Sequence, residues 1–104
     1  MLVKFKKPVV FEGKEYDSIT LDLDSLNGEV AEAVIAQVVA SIPKEKLTPV
    51  EIDNRNWRFI AARASGLPPE FFLKLPLRTY MQIKGQVLSF LIESEVEFSF
   101  PSES

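Results

Sequence analysis

The sequence predicts an α+β fold: an N-terminal β-hairpin followed by three main α-helices, predominantly helical. Two observations carry this. Apolar residues recur with a period of two over residues 2–23, and three later stretches place them at helical spacing between recognisable start and stop signals.

In the hairpin, Val3 and Phe5 alternate with Lys4 and Lys6, and Ile19, Leu21 and Leu23 alternate with Ser18, Thr20 and Asp22 across a Glu12-Gly13-Lys14 turn signal. Pro8 has no N–H to give to a ladder, which makes the first arm an edge strand or breaks it at Lys7. A lone hairpin is marginal in water and must pack on helices.

The first helix is expected over residues 28–41, capped by Ser25 or Asn27, with Glu29 and Glu32 favourably placed in its first turns. Val30, Ala31, Val34, Ile35, Val38, Val39 and Ile42 share half of its surface. Its β-branched residues also suit a strand over residues 34–42, so helix is the preferred but not the sole assignment. Pro43 stops it, and Lys44-Glu45-Lys46 reads as a solvated loop.

Thr48-Pro49-Val50-Glu51 is a capping box with proline at the first helical position, so the second helix runs to Ser65 and stops at Gly66. Trp57, Ile60, Ala61 and Ala64 share a core face with Val50, whereas Ile52 and Phe59 point nearly opposite, beside Arg55 and Ala62. Residues 66–77 then combine Pro68, Pro69 and Pro76 with Leu67, Phe71, Phe72, Leu73, Leu75 and Leu77, too apolar for a passive linker. One short helical turn fits residues 70–74, with Leu73 and Leu75 assigned to the core. The last helix is expected over residues 77–93. Arg78, Thr79, Gln82, Gln86, Ser89 and Glu93 form its polar face, and an apolar arc from Leu77 to Ile92, interrupted by Lys84 and Gly85, is wide enough for two neighbours.

One domain over residues 1–93 is expected, with residues 94–104 an acidic, Ser-rich flexible tail in which Phe98 and Phe100 alternate. No apolar run approaches the roughly 18 residues that span a bilayer, and no signal-like segment opens the chain, so no membrane association and a cytoplasmic location are expected.

The absence of Cys and His removes thiol and imidazole chemistry and the usual zinc ligands, so no metal or cofactor is expected. Asp22 with Asp24 and Glu29 with Glu32 are the acid/base candidates, better read as strand-end and helix-start charges. A net charge of −3 argues against nucleic acid, although Arg55 and Arg58 on the second helix supply an alternative, a small nucleic-acid-binding regulator. Arg63 projects away from them, and Trp57 aligns with the core face. Phe71 and Phe72, adjacent in a short turn, point different ways, so core packing of both competes with a surface anchor.

The order of features resembles a known family. Residues 7–16 (KPVVFEGKEY), 19–21 (ITL), 26–33 (LNGEVAEA), 64–70 (ASGLPPE), 75–80 (LPLRTY) and 87–91 (VLSFL) follow one another as in the small tail assembly chaperones of Mu-like and related long contractile-tailed bacteriophages and prophages. The similarity spans Val3 to Leu91 and rests on order and spacing more than on any one motif. It implies a non-enzymatic protein that coats the tape measure protein and helps recruit tail tube protein during tail assembly. It also implies a longer frameshifted form of the same chain. The wide apolar faces suit a homo-oligomer, and Phe59, Phe71, Phe72, Ile83 and Phe90 are the expected partner-binding residues.

Overall fold

A computed structural model describes residues 1–93. The acidic tail expected over residues 94–104 lies outside them. The element order is β1 (Leu2–Phe11), β2 (Lys14–Thr20), α1 (Gly28–Ala40), α2 (Pro49–Ser65), α3 (Pro69–Leu73) and α4 (Leu77–Ile92), with 3-10 turns at Leu23–Ser25 and Lys44–Lys46. The α+β class, the hairpin and the three main helices are as expected.

Glu12 and Gly13 form a two-residue connection with φ of 51° and 77°. Positive φ at both central positions matches the right-handed twist of the two strands. The strands pair antiparallel, but not in a single register. Lys4 stands opposite Ser18 and Val9 opposite Tyr16, so Phe5, Lys6, Lys7 and Pro8 face Asp17 alone. β1 continues through Pro8; what breaks there is the pairing, because Pro8 offers no donor.

This slip has a packing consequence. A shift by an odd number of residues exchanges the faces of one strand. Tyr16 and Ile19, three apart in β2, therefore both turn inward, opposite Val9 and Val3. Beyond β2, Leu21 and Leu23 are buried, and Asp22 donates its N–H to the Ala64 carbonyl at 3.0 Å, tying the end of the hairpin to α2.

Asn27 caps α1, its Oδ1 accepting from Val30 N–H at 3.1 Å, while Ser25 Oγ donates to the Asp22 carbonyl. Capping and helical spacing outweigh β-branching here, so residues 34–40 are helix. The buried stripe is narrower than expected. Val34, Val38 and Ile42 are buried and Val30 half-buried, whereas Ala31, Ile35 and Val39 stay exposed because α1 packs chiefly on α2.

Thr48 caps α2 through Glu51 N–H, and Gly66 ends it in the left-handed region at φ 73°. Only one arm of the capping box forms, since the Glu51 carboxylate turns to Arg55 at 3.8 Å. Trp57, Ile60, Ala61, Ala62 and Ala64 are buried. Val50, expected among them, is 66% exposed, as it sits in the first turn beyond the reach of neighbouring elements. One continuous core joins the hairpin to α1, α2, α3 and α4. Among the described residues no helix is long and apolar enough to cross a membrane.

Candidate partner-binding site

The segment between α2 and α4 is a structural centre, not a docking loop. Pro69 starts α3, whose single turn sends Phe71 and Phe72 in different directions, and each finds a core there. Phe71 meets Phe11 at 5.5 Å and Tyr16 at 5.1 Å in the hairpin, both close to perpendicular. Phe72 meets Trp57 of α2 at 6.2 Å, and Trp57 in turn meets Tyr80 of α4 at 4.9 Å. Both phenylalanines are 0% exposed.

This corrects the expectation that Phe71 or Phe72 reaches a partner: one faces the sheet, the other the helices, and neither touches solvent. Ile83, at 2% exposure, is likewise core, while Phe59 and Phe90 are half-buried against it. Leu75 is buried as expected, but Leu73 is 54% exposed, since the single turn of α3 points it away from Phe71 and Phe72.

Five of the exposed large apolar side chains, Leu77, Met81, Leu88, Leu91 and Ile92, gather on α4, which has three distinct sides. Ile83 and Val87 enter the core; Thr79, Gln82 and Gln86 face β1; and Leu77, Met81, Leu88 and Ile92 project outward. At 100° per residue, Leu77, Met81, Lys84, Gly85, Leu88, Leu91 and Ile92 fall within an arc of about 120°. Leu77 is 77% and Ile92 83% exposed. The excess width of the apolar arc was the legible signal; which part of it faced outward was not.

Concavities flank α4 on the side of β1 and on the side of α1 and α2. A pocket of about 150 Å³ between α1, α2 and α4 is lined by Leu23, Leu26, Val30, Ile60, Phe90 and Leu91. A groove of about 330 Å³ separates α4 from β1. Sequence reasoning missed both, since neither is local in the chain.

Of the α2 arginines, Arg55 and Arg63 are engaged within the fold, whereas Arg58 has a buried Nε with no hydrogen-bond partner among the described residues. Arg55 Nη1 donates to the Ser41 carbonyl at 3.1 Å and to Ser41 Oγ at 3.2 Å, closing the C-terminal end of α1. Arg63 donates to Gln37 Oε1 at 3.4 Å, and Arg58 is half-buried. The acidic pairs are solvent-exposed, and among the described residues no group of three or more carboxylates is placed to hold a metal.

Fold and surface together define a small α+β protein with an exposed apolar helix face. No protein-family model matches the chain, and neither the curated proteins nor the solved structures compared with it include a match.

Proposed function

We propose that the chain is a tail assembly chaperone of a contractile-tailed phage or prophage, working in the bacterial host cytoplasm. It binds the tape measure protein and helps bring tail tube protein to it. It does no chemistry and uses neither nucleic acid nor a membrane. The sequence order from Val3 to Leu91 supports the family, and the outward face of α4 supports the mode of binding.

That face is the observation that carries the proposal. A row of Leu77, Met81, Leu88 and Ile92 on a helix anchored by Ile83 and Val87 presents large apolar side chains without unfolding anything. Such a row suits a long amphipathic helix laid against it, the mode in which side chains at helical spacing serve as anchors. Self-association of the same face, as a homo-oligomer or with a frameshifted longer form, would cover it before the client is made.

Co-expression with the tape measure protein of the same tail gene cluster tests the role. The proposal expects a soluble complex and more soluble tape measure protein. Equal insolubility with and without the chaperone would refute it.

A further inference from the structure

The groove between β1 and α4 has the chemistry of a strand acceptor. The sheet has two strands, so the second edge of β1 is unpaired by any other strand among the described residues. An unpaired edge presents backbone N–H and C=O groups. Across the groove, Thr79, Gln82 and Gln86 supply polar uncharged side chains. Val3 and Phe5, both half-buried, contribute apolar surface. Lys4, Lys6, Lys7 and Arg78 border it and no carboxylate does. None of these four cations is in a salt bridge among the described residues. An occupant should be extended, apolar on one face and acidic on the other.

The chain carries such a stretch. Glu95-Val96-Glu97-Phe98-Ser99-Phe100 alternates strictly, which in an extended conformation puts Val96, Phe98 and Phe100 on one face and Glu95 and Glu97 on the other. Residues 94–104 hold Glu95, Glu97 and Glu103 and no Lys or Arg. We propose that this segment adds in cis to the free edge of β1, its aromatic residues on the side of Val3 and Phe5 and its carboxylates on the side of the lysines.

The reach is sufficient. Gln86 lies seven residues before Glu93 on α4, about 10 Å at 1.5 Å per residue, which three extended residues cover. The groove alongside residues 76–86 is about 15 Å long, or five extended residues. Residues 96–100 match that length. Pro101, without an N–H, is a natural end to the pairing.

The chain has no native cysteine, so a nitroxide on Ser99→Cys is unique. In the isotope-labelled full chain, the proposal expects loss of amide signals for Val3–Val9 and Thr79–Gln86, and their recovery when Phe98→Asp is added. Unchanged signals throughout would overturn it. A second sample mixes spin-labelled unenriched chains with isotope-enriched chains lacking the label. Broadening of the same amides there would assign the strand to a second copy and overturn the cis arrangement. If a single-stranded oligonucleotide shifts the groove amides while the nitroxide leaves them unaffected, the groove is a nucleic-acid site and the proposal also falls. No tape measure protein is present in any sample, so these outcomes are independent of the chaperone role.

Discussion

Phe71 and Phe72 meet edge to face, 5.4 Å between ring centroids and 83° between planes, while their other ring contacts lie in different elements. Phe71 closes on the hairpin and Phe72 on Trp57. Two adjacent residues thus join the β and α parts of the fold. Full burial of each Phe stabilises by about 1.5–3 kcal/mol, with roughly 0.5–1.5 kcal/mol more from each well-oriented aromatic pair.

Phe71→Ala and Phe72→Ala should therefore each destabilise by about 3–5 kcal/mol, measured by urea unfolding. Trp57, the only tryptophan and itself 1% exposed, reports the transition by fluorescence. A loss below about 1 kcal/mol for either variant would contradict its place in the core.

Gly66 sits at φ 73°, and a Cβ there would meet nothing within 4 Å. Its requirement is conformational only, so Gly66→Ala should cost about 1–2 kcal/mol through backbone strain. A D-alanine, whose mirror-image preference suits this φ, should cost none of that and raise the melting temperature. Equal destabilisation by both enantiomers would point to a steric cause instead.

Arg55 does more through Ser41 than through Glu51. The Glu51 contact is an exposed i,i+4 pair at 3.8 Å, worth about 0.3–0.5 kcal/mol, whereas the bond to the Ser41 carbonyl is worth about 0.5–1.5 kcal/mol. Glu51→Gln should thus be nearly silent in thermal unfolding and Arg55→Ala measurable. Equal losses from the two variants would place the stabilisation in the ion pair, which both remove. In a low-salt gel shift, wild-type chain should leave nucleic acid unretarded. A retarded band abolished by Arg55→Glu would instead support the regulator alternative.

Helix boundaries were legible because Asn27, Thr48, Pro49 and Gly66 act locally: a cap or a positive φ is set within four residues. The turn at Glu12-Gly13 was legible for the same reason. Neighbours were not. Periodicity put Val50 on the Trp57 face, but not that the packing ends before Val50 is reached, nor that Leu73 would face solvent while Leu75 is buried. The register slip at Phe5–Pro8, which turns Tyr16 and Ile19 inward together, depends on a pairing that no single strand reveals. Of the partner-binding residues expected from sequence, Phe71, Phe72 and Ile83 proved to be core, because large apolar side chains carry the same local signal in a core as at an interface.

The outward face of α4 should be separable from stability. Met81 is 52% and Leu88 41% exposed, so Met81→Glu and Leu88→Glu should each change unfolding free energy by no more than about 0.5 kcal/mol. A larger loss would mean that these residues support the fold and are not a free surface.

The most direct test is co-purification of the tape measure protein with wild-type chain and with the Met81→Glu/Leu88→Glu double variant, each first shown to be folded by Trp57 fluorescence. The proposed role predicts a complex with the wild type and its loss with the double variant. Undiminished capture by a folded double variant, or no capture by the wild type, would contradict it.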